Sequence, residues 1–126
     1  MLSILLVGGD PASLAGFAAE LAKKDGIGVS SAASKHEVWQ VLGSGRVDVV
    51  VVDRELADGA ALPFIREMTR QYPLINCAMV SSLSPEDFHE MTEGLGVFMQ
   101  LPVGPGAGEA VRLLRLLESI DALLAK

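Results

Sequence analysis

Short apolar segments alternate with amphipathic segments along the whole chain. Three apolar runs, at Leu2–Val7, Val49–Val52 and Ile75–Val80, have the length and composition of β-strands. Weaker runs at Ile27–Ala32 and Val97–Gln100 bring the number of predicted strands to five. Between them, apolar residues recur at spacings of three and four, which predicts a helix after each strand. This alternation indicates an α/β domain with a parallel sheet and, because crossovers are right-handed, helices on both faces.

Start signals delimit several of the predicted helices. Asp10 stands directly before Pro11, and this pair is typical of an N-cap followed by proline at the first helical position. Ser34 and Glu37 have the spacing of a capping box. Ser84 is again followed by a proline. We therefore predict one doubly wound (βα)5 domain that covers residues 1–126.

Composition and charge exclude several classes of protein. Half of the residues are hydrophobic and only 5% are aromatic, so the core must be aliphatic. The net charge is −6 and no run of lysine or arginine is present, which argues against a nucleic-acid or anionic-membrane surface. Cys77, the single cysteine, excludes an internal disulfide. The apolar runs are too short to span a bilayer and the start lacks a signal peptide, so we expect a cytoplasmic protein.

The residues that directly follow the strands are the candidates for function. In doubly wound sheets, ligands bind beyond the carboxyl ends of the strands, near the point where the strand order switches. In this chain those positions are Gly8–Asp10, Asp53, Ser81–Ser82 and Leu101–Pro102. His36 and His89 are isolated from each other and have no cluster of metal-ligand type around them, so a metal site is not expected.

Four segments in order resemble a bacterial response-regulator receiver domain, and the resemblance covers essentially the whole chain. LLVGGDPASL is similar to the family's first strand and acidic turn, and VDVVVVDRELADGAALPFI to its phosphoacceptor strand and loop. AMVSS is similar to the fourth strand, and FMQLP to the fifth. The resemblance implies the five-stranded, flavodoxin-like receiver fold.

The resemblance also implies roles for three residues. Asp53 falls at the phosphoacceptor position, Ser81 at the switch hydroxyl, and Phe98 at the switch aromatic. Two interpretations remain open beside these. Asp53 could be a solvated carboxylate at a strand end, and Phe98 could be an ordinary packing residue at the sheet edge.

Other parts of the family's chemistry are missing from this sequence. The acid pair that holds Mg²⁺ in the family falls on Gly8 and Gly9, and its lysine falls on Leu101. Asp10 lies one position past the acid pair, where we expect it to cap a helix. We therefore expect no cofactor, no metal site and Mg²⁺ binding that is weak at best. Restoring both acids, by Gly8→Asp with Gly9→Asp, is expected to create Mg²⁺ binding.

The last helix carries more apolar surface than one sheet contact needs. One stripe covers the sheet, and further leucines widen it: Ala110, Leu113, Leu117, Ile120 and Leu124, then Leu114, Leu116 and Leu123. A surface helix needs an apolar arc of only about 100°. The excess predicts a homodimer or a protein partner on the face of the fourth helix, fifth strand and fifth helix. A helix that packs more deeply than usual is the other interpretation.

We therefore expect a signal-transduction domain of receiver type that acts by protein–protein interaction, with lost or weak phosphoacceptor chemistry. The chain itself is not expected to be an enzyme, since in such a system a partner histidine kinase performs the catalysis. One alternative is a functional two-component phosphoacceptor that uses Asp53. Another is a small-molecule or nucleotide-binding module of similar fold. The GGDP turn lacks the spaced glycines of a dinucleotide or P-loop motif.

Overall fold

The computed structural model describes the backbone of residues 2–124 and the side chains of residues 2–119. Its central sheet has five parallel strands in the order β2-β1-β3-β4-β5. The strands are β1 (Leu2–Val7), β2 (Ile27–Ala32), β3 (Val49–Val52), β4 (Asn76–Val80) and β5 (Val97–Leu101). The predicted fold class is confirmed, and each predicted strand lies within one residue of its expected bounds.

Five α-helices follow the strands. They are α1 (Ala15–Ala22), α2 (Lys35–Ser44), α3 (Ala61–Gln71), α4 (Pro85–Thr92) and α5 (Ala107–Leu124). A 3₁₀ turn at Pro11–Leu14 leads into α1. Within the described part of the chain, no helix has the length and apolarity that a membrane crossing requires.

The sheet separates two aliphatic clusters. Alternate valines of β3 explain the separation, because Val49 and Val51 belong to the cluster under α1 and α5, while Val50 and Val52 belong to the other. The second cluster lies beneath α2, α3 and α4. All four valines are fully buried, as expected for a central parallel strand that helices cover on both faces.

Polar caps start three helical segments where the sequence predicts them. The Asp10 carboxylate accepts a hydrogen bond from the backbone N–H of Ala12 at 3.1 Å. Ser34 Oγ accepts from the N–H of Glu37, also at 3.1 Å. Ser84 caps α4 in the same way. Each cap satisfies an N–H group that has no partner inside its own helix.

One structural feature is not predicted from the sequence. Glu55–Leu56 and Gly59–Ala60 pair as a two-stranded antiparallel hairpin between β3 and α3. Gly59 has a φ of 154°, a conformation that side-chain-bearing residues rarely adopt. Two residues per strand are too few for a periodic pattern, so the segment is predicted only as a loop.

The widened apolar stripe of α5 is confirmed only in part. Leu114 is buried in the cluster under α1 and α5, so its assignment to the exposed excess is wrong. Leu116 is 39% exposed and does lie outside the core. The side chains of Ile120, Leu123 and Leu124 lie outside the described residues.

We predict very different costs for the same truncation at two leucines. Leu113 is fully buried, whereas Leu74 is 94% exposed. Leu113→Ala should lower the free energy of unfolding by about 2–5 kcal/mol, because it removes buried methyl groups and leaves a cavity. Leu74→Ala should change it by less than about 0.5 kcal/mol. Urea denaturation of both variants measures the difference, and similar values for the two would contradict the assignment of the core.

Candidate functional site

Asp53 lies at the carboxyl end of β3 and is held by the backbone around it. Its N–H donates to the carbonyl of Val7 at 2.8 Å, which extends the pairing of β1 with β3 by one step. Its Oδ1 accepts from the N–H of Arg54, also at 2.8 Å. The residue is only 6% exposed. The interpretation of Asp53 as an exposed, solvated carboxylate is therefore wrong.

The two glycines after β1 lie against groups that leave no room for side chains. A Cβ atom on Gly8 would be 2.8 Å from the Asp53 Cβ and 3.3 Å from its Oδ2. A Cβ on Gly9 would be 3.0 Å from the backbone nitrogen of Ala57. Asp53 and the hairpin thus occupy the space that an acid pair would need. In Gly8→Asp with Gly9→Asp, both side chains would first have to displace their neighbours, so metal binding by this variant stays a prediction that carries a cost in stability.

Backbone hydrogen bonds fix the hairpin over this end of the sheet. The N–H of Gly9 donates to the carbonyl of Glu55 at 2.9 Å. The N–H of Ala57 donates to the carbonyl of Ala33, in the β2–α2 loop, at 2.8 Å. Glu55 lies two residues after Asp53. Its backbone carbonyl accepts the hydrogen bond from the N–H of Gly9, so this carbonyl is not left unpaired at the cavity.

Asp58, at the hairpin tip, completes the attachment by capping a helix that is distant in sequence. Its carboxylate accepts from the N–H groups of Lys35 and His36 at the start of α2, at 2.8 and 3.4 Å. The pKa of Asp58 lies below its usual value, chiefly because of the hydrogen bond from Lys35. The hairpin therefore contacts both the β1–α1 and the β2–α2 connections.

A cavity of about 550 Å³ opens beside Asp53. It is bounded by the turn after β1 and by the hairpin, through Gly9, Asp10, Ser13, Asp53, Arg54, Glu55, Leu56 and Ala57. The described residues contain no group of three His, Cys, Asp or Glu side chains placed to hold a metal ion. Asp53 alone is a poor fit to Mg²⁺, because the Asp10 carboxylate caps the turn after β1 instead.

Ser81 lies at the end of β4 in a loop that is fixed from β5. Its hydroxyl oxygen accepts from the N–H of Leu83 at 3.1 Å, and the side chain is buried. Gln100 Nε2 donates to the Leu83 carbonyl at 2.8 Å. Arg112 of α5 in turn donates to the carbonyl of Gln100 at 3.2 Å. These bonds link the Ser81 loop to the exposed surface of α5.

The other two positions singled out in β5 pack away from the cavity. Leu101 is fully buried in the cluster under α1 and α5, so the position of the family's lysine is part of the core here. Phe98 is half-buried against the same cluster. It lies where the register of β5 shifts, since Val97 pairs with Cys77 and Met99 with Ala78. Packing accounts for the placement of Phe98, and its role as a switch remains a prediction.

Sequence reasoning did not identify Asp58, Gln100 or Arg112. Asp58–Gly59 is a turn signal in the sequence and indicates a hairpin when apolar strands flank it. Gln100 is the one polar residue in FMQLP, and that exception within an apolar strand is the signal for a fixed polar contact. No sequence signal indicates that Arg112 reaches β5.

Solved structures of other proteins share the fold that carries this site. The signal receiver domain of an HD domain-containing protein from Pseudomonas fluorescens Pf-5 superposes with a TM-score of 0.81, over 99% of this chain and 93% of that one. The fold is that of a response-regulator receiver domain. The chemotaxis response regulator CheY4 of Vibrio cholerae matches with a TM-score of 0.78, over 91% of this chain and 97% of that one.

The receiver fold is shared here with little sequence identity. The two structures above are 19% and 17% identical to this chain. The response regulator DrrB of Thermotoga maritima is 18% identical, with a TM-score of 0.79, and the match covers 94% of this chain and 54% of that one. The sequence matches no protein-family model and no curated protein. The similarity therefore establishes the fold, and the roles of individual residues rest on their geometry.

We predict that one methyl group will have opposite effects at two glycines. Gly8→Ala should lower the free energy of unfolding by roughly 1–3 kcal/mol, because the new Cβ overlaps Asp53. Gly16→Ala should raise it by about 1 kcal/mol, because Gly16 is helical and no atom of the surrounding protein lies within 4 Å of the position that a Cβ would take. Thermal or urea denaturation decides the sign at each position. A neutral Gly8→Ala would show that the site has room for a side chain.

Proposed function

We propose that this chain is a cytoplasmic signalling domain of receiver type that acts by binding a protein partner, with phosphoacceptor chemistry at Asp53 lost or weak. One observation carries the proposal. Asp53 and the hairpin fill the space next to Gly8 and Gly9, where carboxylates would otherwise bind a metal ion. On this proposal the chain is not itself an enzyme, and its surface is available whether or not Asp53 is modified.

The chemistry of phosphoryl transfer supports the proposal. A phosphoryl group that moves to a carboxylate brings negative charge, which a metal ion or a fixed cation must offset. No acid pair accompanies Asp53, and position 101 contributes a buried leucine. A charge-assisted hydrogen bond from a lysine would contribute roughly 1.5–3 kcal/mol. Arg54 borders the cavity and is the cation next to Asp53 in sequence, but its side chain is exposed to water.

We predict that a small phosphodonor with Mg²⁺ will leave most of the protein unmodified. Intact mass spectrometry under mildly acidic conditions measures the phosphorylated fraction directly. Asp53→Asn is the control, because it removes the acceptor and changes little else. A gain of one phosphoryl group per chain that Asp53→Asn abolishes would contradict the proposal.

That contrary result would instead favour a functional two-component phosphoacceptor. The observation behind this alternative is the position of Asp53, which borders a cavity of about 550 Å³ at the carboxyl end of β3. In that case a histidine kinase would supply the phosphoryl group. Phosphorylation of the chain by a histidine kinase, even if a small phosphodonor gives no reaction, would also favour this alternative.

The surface proposed for a protein partner is the face formed by α4, β5 and α5. The α4 side is acidic, with exposed Glu86, Asp87 and Glu90. The α5 side presents Arg112 and the partly exposed Leu116. An apolar residue beside charges of both signs is suited to specific protein binding. The hydrogen bonds through Gln100 connect this face to the Ser81 loop.

We predict that Leu116 and Leu117 will respond differently to the same charge. Leu116→Glu should change the free energy of unfolding by less than about 0.5 kcal/mol, because the position is already at the surface. Leu117→Glu should cost several kcal/mol, because Leu117 lies in the core and the carboxylate would be buried without a partner. Circular dichroism during thermal unfolding compares the two. Unfolding of Leu116→Glu would place that leucine in the core and remove the apolar centre of the proposed face.

A further inference from the structure

The two edges of the sheet differ in how they are protected. At the β5 edge, the register shifts near Phe98 and the carbonyl of Gln100 accepts from Arg112. At the β2 edge, six consecutive residues pair regularly with β1. The β2 sequence, IGVSSA, contains no proline and no charged residue. Natural proteins use bulges, charges and proline to keep edge strands from pairing, and β2 has none of these.

The direction of the unpaired groups on β2 follows from its pairing with β1. The carbonyls of Gly26 and Ala32 accept from the N–H groups of Leu2 and Gly8. Backbone N–H and C=O groups alternate in direction along a strand, so those of the even-numbered residues of β2 point towards β1. The N–H and C=O groups of Ile27, Val29 and Ser31 therefore point away from the sheet and have no partner strand among the described residues.

A small cleft accompanies this edge. It measures about 270 Å³ and lies between the start of α1 and the end of β2. Ala15 and Ala18 of α1 form one wall, and Ser31 of β2 contributes to the other. The half-buried side chains of Ile27 and Val29 pack against the cluster under α1 and α5, so they lie on the same face of the sheet as the cleft.

We propose that β2 pairs antiparallel with β2 of a second copy of this chain, about a two-fold axis at Val29. This register places Val29 opposite Val29 and Ile27 opposite Ser31, so every outward N–H and C=O group gains a partner. Opposite residues of an antiparallel pair project to the same face. Ile27 of the second copy therefore lies beside the cleft at Ser31, and an isologous dimer fills both clefts at once.

The helices above the edge leave room for this arrangement. Neighbouring strands are about 4.8 Å apart, so the two α1 helices, each over β1 and β2, would lie about 10 Å apart. Helices pack at about 8–10 Å when small side chains face one another. Ala15 and Ala18 are such side chains on the cleft side of α1.

Charge at the two ends of the edge favours an antiparallel second copy. Lys23 and Lys24 follow α1 at one end, while Asp10 and Glu37 border the cleft at the other. An antiparallel pair brings the lysines of one copy towards the carboxylates of the other. Asp25 and Lys35 offset part of this charge, and Glu20 already pairs with Lys23 at 3.5 Å, so the attraction is a minor contribution and the register rests on the backbone pairing.

Disulfide cross-linking tests the register. In Val29→Cys the two introduced cysteines would be directly opposite, with Cα atoms about 5.5 Å apart, within the range that a disulfide spans. In the matched control, Ser30→Cys, they would be offset by two residues, about 7 Å along the strand and beyond that range. The native Cys77 is fully buried, out of reach of a second copy, and burial also raises the pKa of its thiol, so cross-links are expected only from the introduced cysteine. We expect a covalent dimer on mild oxidation of Val29→Cys, and little from Ser30→Cys.

Sedimentation velocity over rising concentrations tests the association itself. The parent should shift towards dimer, and Ala15→Lys should remain monomeric because it fills the cleft and faces Lys23 and Lys24 of the second copy. Gly16→Lys carries the same charge one residue away, on the open side of α1, and should dimerise like the parent. Leu116→Glu should do so as well, which separates this edge from the α5 face.

Several results would overturn the proposal. If the parent protein stays monomeric at every concentration, β2 does not pair with a second copy and the proposal is wrong. Equal cross-linking of Val29→Cys and Ser30→Cys contradicts the register. A dimer that Leu116→Glu abolishes and Ala15→Lys preserves places self-association on the α4, β5 and α5 face instead. Circular dichroism of each variant must first show the parent's helix content.

Discussion

A single backbone hydrogen bond, from the N–H of Gly9 to the carbonyl of Glu55, brings the turn after β1 against the hairpin after β3. The organisation of the carboxyl end of the sheet depends on this approach. Glycine at positions 8 and 9 favours it, because a Cβ at position 9 would crowd the hairpin backbone and one at position 8 would crowd Asp53. The two glycines are therefore part of a packed backbone contact. Carboxylate side chains at these positions would be crowded by the same contact.

The same end of the sheet is fixed in two separate halves, with Asp53 between them. On one side, the hairpin connects β1, β2 and α2 through backbone groups and Asp58. On the other side, Gln100 and Arg112 connect the Ser81 loop to β5 and α5. No hydrogen bond between Asp53 and Ser81 is found among the described residues. Each half is thus stabilised without a ligand that bridges them.

Sequence patterns predicted the regular part of the fold because burial on both sides of a strand and the capping of helices each leave a local signature. Val49–Val52 and the Ser34–Glu37 pair are examples. The position of Asp53 followed from the resemblance and the strand end. The hairpin did not follow, because its contacts with Gly9 and Ala33 join residues distant in sequence. Leu114 was misassigned for a related reason, since helical periodicity does not say how far a neighbouring helix reaches around the stripe.

The cap that Asp58 places on α2 has a consequence for hydrogen exchange. The first N–H groups of a helix have no partner within it and normally exchange with solvent as the terminus frays. Here the amide N–H groups of Lys35 and His36 donate to the carboxylate of Asp58, which lies in a hairpin 22 to 23 residues away in sequence. Their exchange is slowed while the Asp58 carboxylate accepts from them, and detachment of the hairpin removes that protection. Two amides in one helix thereby report the opening of a loop on a different part of the sheet, beside the cavity at Asp53.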